Sequence, residues 1–374
     1  MRVGINLLHA IPEIGGGWNY IKNLVQAIAL YDRENDYIAY CNPVSAEIVP
    51  DTDNFQKIIF QFDASSRIRR VINENVQLQI LAKHHGLACM FWMGNTHGLI
   101  NVTRSLVIIY DLQSIRPNPQ FSIPKKIYLG LNFRKTIRRA THLLPMSQSV
   151  AAELTQYFGI PQTGMTVVPP ILDAKYHRSQ PTQITEFRQK YGLPERFWLY
   201  VAHLYPHKNH IRLLQAYKRL KKMRVRHWPL ALRGDPGGAE DEIKKMISEF
   251  NLENDVIWIP RLRDSEMPIL YSAATALVFP SLYEGGGIPI LEAMACGCPI
   301  LASDIPPIKE FAATVPHYFD PMSVDKIAEA MIFFLTHEQE FKKKTVAGME
   351  RVQEFYGQHI IEKLTKTYRA IGCN

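Results

Sequence analysis

The chain has 374 residues, 47% hydrophobic, 21% charged and 10% aromatic, with 21 Gly and 24 Pro. That length suggests two domains, and the composition excludes a disordered, collagen-like or low-complexity chain. Lys and Arg number 43 against 35 Asp and Glu, a formal charge of +8, so the surface attracts phosphate on a nucleotide, a nucleic acid or an anionic leaflet.

Apolar strand-like runs alternate with helical spacings from the start, which predicts an α/β protein built from β-α-β units around mainly parallel sheets. Residues 3–8, 37–41 and 57–62 read as strands. Residues 20–30 repeat apolar side chains at Ile21, Leu24, Val25 and Ile28, a helical period. Residues 77–84 form a helix; 87–91, 106–109, 142–145 and 166–168 are strands, and helices are expected over 124–140 and 148–158. A polar stretch over 176–183 with Pro181 is the linker candidate. Beyond it the alternation resumes. Strands are expected at 197–201, 229–232, 256–259, 276–279 and 300–302, and helices at 210–223, 240–250, 266–274, 290–295, 325–336 and 338–370.

No apolar run approaches the roughly 18 residues that span a bilayer. The chain opens directly as a strand rather than as a charged leader, so a cytoplasmic location is expected. Cys41, Cys89, Cys296, Cys298 and Cys373 make an odd count. Cys296 and Cys298 are too close for the usual C-x-x-C spacing, and all five read as buried reduced thiols. Basic runs at 67–70, 134–139 and 218–226 are either solvated helix faces or anion-binding patches.

The strongest local signal runs from Phe279 to Ala295. An apolar strand enters a loop with Gly285, Gly286 and Gly287, and Ile288-Pro289 opens a helix. Glycines let backbone N–H groups approach a ligand closely, Pro suits a first helical turn, and the free N–H groups with the helix dipole favour an anion. Glu284 on the loop and Glu292 in the helix are acceptors for hydroxyls and would repel a bare phosphate. Together, loop and carboxylates point to a phosphorylated sugar.

A second signal is the loop after Leu199-Tyr200-Val201, which carries His203, His207 and Lys208 before another helix. At a strand's carboxyl end such cations can neutralise a pyrophosphate leaving group. The same histidines with His210 lack the Cys or acidic partner that a tetrahedral zinc site needs. Third, Gly15-Gly16-Gly17 opens the first helix, as a plain turn or a phosphate- or sugar-permissive loop; the dinucleotide fingerprint G-x-G-x-x-G is absent. Tyr110-Asp111 ends a strand and either lines a ligand cleft or is structural. Asp51-Thr52-Asp53 reads as a turn. No Walker loop, G-x-S-x-G elbow or H-E-x-x-H occurs.

Over nearly its whole length the chain resembles the retaining GT-B glycosyltransferases of the group 1 type, glycosyltransferase family 4. The likeness is most specific at Pro280 to Pro289 and Leu291 to Pro299, which look like that family's E-x7-E signature, and extends through Gly15-Gly16-Gly17, Ser147, Val167-Val168-Pro169, Lys208 and Leu213-Leu214. The resemblance implies two Rossmann-like doubly wound domains facing across a cleft. Residues 1–177 would be the acceptor-side domain, 178–194 a linker, 195–355 the nucleotide-sugar domain and 356–374 a helix crossing back to the first. It implies that Glu292 binds the donor ribose, Glu284 the transferred sugar, the amides of Gly285 to Ile288 the phosphate and sugar, Lys208 the pyrophosphate, and the Leu262 backbone the base. Gly16 and Gly17 would belong to the donor site as well.

Two positions depart from the family pattern. His203 stands where many members have Arg, a weaker cation that His207 can supplement, and Tyr110-Asp111 replaces a His-Asp pair, with Tyr110 keeping a hydrogen-bond donor toward the sugar. The activity expected is transfer of a hexose from a UDP- or GDP-sugar to a saccharide or lipid-linked saccharide in cell-envelope glycan synthesis, with retention and without a metal or other cofactor. An anionic membrane surface is a further expected partner, at the inner face of the membrane. The rivals are a nucleotide-sugar epimerase of the same fold and a basic nucleic-acid-binding protein; the latter lacks the interleaved aromatic and basic residues of RNA modules, so no nucleic-acid partner is expected.

Overall fold

A computed structural model of the chain describes residues 1–12, 16–63, 66–113, 123–223 and 227–372. Gly15, the end of the basic run at 224–226 and Cys373 lie outside the described residues. The chain divides into two compact units, Met1–Ile171 with Phe355–Asn374, and Leu172–Glu354.

In the first unit six strands, β1 (Arg2–Leu7), β2 (Asp36–Cys41), β3 (Phe55–Ile59), β4 (Cys89–Trp92), β5 (Arg104–Ile109) and β6 (His142–Pro145), lie in the order β3-β2-β1-β4-β5-β6. All pairings are parallel. Beyond their first residues β1, β2 and β5 are buried without interruption, because helices cover both faces of a parallel sheet and leave no solvent side for polar residues. The helix Gly357–Ala370 packs on the helix Gly16–Tyr31. Gly357 is required there: a Cβ would lie 2.7 Å from the Ala27 Cβ.

The second unit repeats the plan. Strands β7 (Trp198–Val201), β8 (Leu230–Arg233), β9 (Val256–Trp258), β10 (Ala276–Phe279), β11 (Ile300–Ser303) and β12 (His317–Phe319) are ordered β12-β11-β10-β7-β8-β9. Counted within its own unit, each sheet has the doubly wound order 3-2-1-4-5-6. Winding reverses between β1 and β4 and between β7 and β10, and in such sheets ligands bind beyond the carboxyl ends of the strands at the reversal.

Several sequence expectations are corrected. Residues 178–194, expected as a linker, contain the helix Pro181–Tyr191, which packs on the helix Met267–Ala273. It buries only Phe187, so its sequence has no apolar stripe to reveal it. Residues 166–168 do not add a ladder strand. Thr166 and Val168 donate to the Leu143 and Pro145 carbonyls of β6 at 3.0 and 2.9 Å, but Pro169 and Pro170 follow and have no N–H to continue the ladder. The helix Pro306–Ala312 and the edge strand β12 were not anticipated, and the helix expected at the basic run 67–70 extends over Arg67–Asn75.

Candidate active site

The two loops at the β7/β10 reversal carry most of the expected residues. After β7 the chain makes a short turn, Pro206–Lys208, and Asn209 adopts a left-handed conformation at φ 64° before the helix His210–Lys222. After β10 it runs through Glu284 to Gly287, also left-handed at φ 53°, where the helix Ile288–Ala295 starts with Pro289 in its first turn. Asn209 ties the loops together. Its buried amide donates to the Pro280 and Pro321 carbonyls at 2.9 and 2.8 Å, and Arg212 donates to its Oδ1 at 3.0 Å. Leu282 N–H donates to the His207 carbonyl at 2.8 Å, and the Tyr200 hydroxyl donates to the Lys208 carbonyl at 2.5 Å.

This frame brings Lys208 and Glu284, 76 residues apart in sequence, into an ion pair with Nζ 2.7 Å from Oε1. The side chains are only 17% and 9% exposed, so each charge depends on the other for compensation. Beside them, the amides of Gly285, Gly286 and Gly287 donate to no backbone carbonyl, and Ile288, as the first helical residue, has no intrahelical acceptor either. Among the described residues these N–H groups find no backbone acceptor, and N–H groups at a helix start favour an anion.

Glu292 is one turn into the same helix and buried. The Tyr271 hydroxyl donates to its Oε2 at 2.7 Å, and Tyr176 hydrogen-bonds it as well. Burial pushes its carboxyl up to about 7, against the lowering by the two tyrosines and by Lys175. Near neutrality it therefore exchanges between a carboxylate, which accepts from hydroxyls, and an acid. Leu262 lies half-buried in the segment after β9.

The histidines differ from expectation. Burial lowers the His203 imidazole, with Lys208 and Arg233 adding to the effect against Asp235. Its Nδ1 accepts the Asp235 N–H at 3.2 Å, leaving the ring proton on Nε2. His207 is pushed down to about 4 and His210 to about 3, in each case chiefly by burial and then by Lys208. None of the three is a cation at neutral pH, which corrects the expectation that His203 and His207 supplement the lysine.

A cation that sequence reasoning missed stands next to them. Arg233 ends β8 opposite Val201 of β7. Its Nη1 donates to Asp235 Oδ1 at 3.0 Å, while its buried Nε has no hydrogen-bond partner among the described residues. The following glycine is forced by close approach: a Cβ on Gly234 would lie 1.8 Å from the Ala202 carbonyl oxygen. Read alone, an Arg at the end of a short apolar run gives no signal; the signal is Gly234 after it, marking strand ends in contact.

The remaining expected residues lie in the first unit. Gly16 opens the helix Gly16–Tyr31, is exposed and leaves open space where a Cβ would sit; Gly17 is half-buried. Tyr110 follows β5, packs edge-on against Tyr20 with ring centroids 5.3 Å apart, and donates its hydroxyl to the Met93 carbonyl. Its phenol proton is thus committed to the backbone rather than presented to a sugar, and burial holds the phenol protonated. Of the expected thiols, Cys41, Cys89, Cys296 and Cys298 are buried.

Two doubly wound units, each with a parallel six-stranded sheet, and an E-x7-E pair set on a glycine loop define a glycosyltransferase of the GT-B fold. Residues 183–349 match the family model for glycosyl transferases group 1. The chain is 26% identical over 270 residues to O-antigen chain mannosyltransferase B of Escherichia coli, an alignment covering 72% of this chain and 71% of that protein. In fold it is similar to sucrose-phosphate synthase from Thermosynechococcus elongatus, with a TM-score of 0.79, 18% identity and 99% of each chain covered. It is also similar to Anabaena HepE, solved in complex with UDP-glucose, with a TM-score of 0.77, 18% identity, and 99% of this chain and 100% of that one covered.

Proposed function

We propose that the protein transfers mannose from a nucleoside diphosphate sugar to a hydroxyl of a lipid-linked saccharide, with retention of anomeric configuration, at the inner face of the membrane. The observation that carries this reading is the Lys208–Glu284 pair beside the amides of Gly285 to Gly287, which find no backbone acceptor among the described residues. Cation and amides suit a diphosphate, and the carboxylate suits a sugar hydroxyl. The choice of mannose rests on the activity named for the Escherichia coli relative.

In the reaction the bond between the anomeric carbon and the β-phosphate oxygen breaks, the acceptor oxygen bonds to that carbon from the same face, and its proton passes to the departing phosphate oxygen. Lys208 and the loop amides stabilise the charge that grows on the leaving group. Arg233 is the second cation, because burial disfavours charge on the neighbouring histidines; its Nη1 is held by Asp235, as Lys208 is by Glu284, and its Nε is the donor left over. Glu284 holds the sugar and offsets positive charge on the oxocarbenium-like ring. Glu292 takes the ribose hydroxyls and the Leu262 backbone the base. No step requires a metal, since side chains and amides supply the positive charge, and chelators should leave turnover unchanged.

The test is incubation with GDP-mannose, UDP-glucose and other UDP- and GDP-sugars together with a saccharide acceptor, followed by proton NMR of the product. An α-linked mannoside from an α-linked donor supports the reading. An inverted product, or donor conversion to an epimer without acceptor, refutes it.

A further inference from the structure

The first unit carries an apolar ridge on its surface that its own core does not use. The helices Arg67–Asn75 and Gln77–His84 follow one another directly. Every fourth side chain along them, Ile68, Ile72, Val76 and Ile80, is exposed, Ile68 at 76% and Ile80 at 65%. The opposite side of the second helix supplies Leu78 and Ala82 to the core, so the outward set is a second apolar face rather than a misplaced first one. A loop extends the ridge. Asn75 Oδ1 accepts from the Leu99 and Ile100 amides at 2.5 and 3.2 Å, and Gln79 Oε1 accepts from Val102 N–H at 3.0 Å. Leu99, Ile100 and Val102 are themselves exposed. Lys135 Nζ donates to the Leu99 carbonyl at 2.9 Å and joins the helix Ile123–Arg139, with exposed Leu131, to the same face.

The charge of these segments selects the occupant. In sequence, residues 66–84, 97–104 and 123–140 contain eleven Lys or Arg and one acidic residue, Glu74; Arg70 lies against Glu74 with its Nε buried, while Arg69, Lys83, Arg134, Arg138 and Arg139 are exposed. The Glu74 carboxylate accepts from Asn6 Nδ2 at 3.1 Å, on the side of the helix toward β1. A second copy of the chain would set like charges against each other. A nucleic acid would leave the isoleucines in water. A bilayer with anionic headgroups satisfies both: aliphatic side chains enter the headgroup–acyl boundary while Lys and Arg stay at the phosphates.

We infer that this face, formed by the ridge from Ile68 to Ile80, the loop 99–102 and the basic helix Ile123–Arg139, docks the protein onto an anionic lipid surface. The inference rests on the proposal of a lipid-linked acceptor only for its purpose; the docking is a property of this face alone.

The test is co-sedimentation with phosphatidylcholine vesicles, with and without phosphatidylglycerol. It compares the wild type with the triple variant Ile68→Ser, Ile72→Ser, Ile80→Ser and with Arg138→Glu, Arg139→Glu. The wild type should partition onto the phosphatidylglycerol vesicles about tenfold or more above phosphatidylcholine alone, and each variant should lose about tenfold of that binding. The melting temperature should not fall, since the replaced side chains are exposed. Equal binding by the triple variant, or no binding of the wild type to phosphatidylglycerol vesicles, overturns the inference. So does a wild-type dimer that the triple variant converts to monomer while vesicle binding stays the same. Donor-dependent nucleotide release, measured without vesicles on the same preparations, separates the two claims. Active protein that ignores vesicles sinks the docking alone, whereas vesicle-bound protein inert with every donor upholds the docking and sinks the transferase reading.

Discussion

Replacing Glu292 by Gln should make the protein more stable at alkaline pH and leave it nearly unchanged in acid. The native carboxyl is raised from 4.5 to about 7 because it is buried. Between those values the folded protein holds a proton that the unfolded chain has released, so wild-type stability falls as pH rises through this window and levels off above it. Moving a carboxyl that far corresponds to about 3 kcal/mol. Gln has the shape of the protonated acid and still accepts from the Tyr271 hydroxyl, but it does not titrate. The variant's advantage should therefore be small at pH 4.5 and grow to about 3 kcal/mol by pH 8, or roughly 6 to 12 °C in melting temperature for a unit of this size. Calorimetric melts of both proteins at intervals across that range read it directly. A difference between the two that stays flat with pH would refute the assignment of a buried, proton-exchanging carboxyl at this position.

Three other outcomes follow from the same geometry. Lys208→Met should cut turnover about 100- to 1,000-fold and destabilise the protein by about 3 kcal/mol or more by stranding Glu284. Adding Glu284→Gln should restore melting temperature without restoring activity, and a double variant that regained activity would remove the pair from the mechanism. Asn209→Ala should cost about 2 to 4 kcal/mol in denaturant unfolding, from two buried carbonyls left without a donor and a side chain at positive φ; Asn209→Gly should recover only the backbone part. Arg233→Ala should lower kcat/KM for the donor by about tenfold or more and Arg233→Lys should recover part of it; wild-type kinetics for the alanine variant would leave Lys208 as the sole side-chain cation.

The sheets were legible because each central strand is a short apolar run, and residues 142–145 and 276–279 are bounded as expected. Elements escaped where burial is partial or the element is short. The helix Pro181–Tyr191 buries only Phe187 and the strand His317–Phe319 only Phe319, while the helix Pro306–Ala312 is buried but, at seven residues, too short to show a period. At the site, the glycine loop and both glutamates could be read because a close backbone approach and a helix start demand particular residues at fixed spacing. What could not be read is set by distance and burial. The pairing of Lys208 with Glu284 spans 76 residues. The neutrality of His203 and His207 depends on how deeply the fold encloses them, and Arg233 becomes significant only because Gly234 lets β8 meet the residues after β7.

The central claim, that the β7 and β10 loops hold a nucleoside diphosphate sugar, is tested most directly by melting the protein with GDP-mannose, GDP, UDP-glucose and UDP at millimolar concentration. A ligand present at a hundred times its dissociation constant adds about 2.7 kcal/mol to the folded state. The account predicts a rise of several degrees with one nucleotide series in the wild type, and none with Lys208→Met, Arg233→Ala. A wild type that no nucleotide stabilises, or a double variant stabilised as strongly as the wild type, would contradict it.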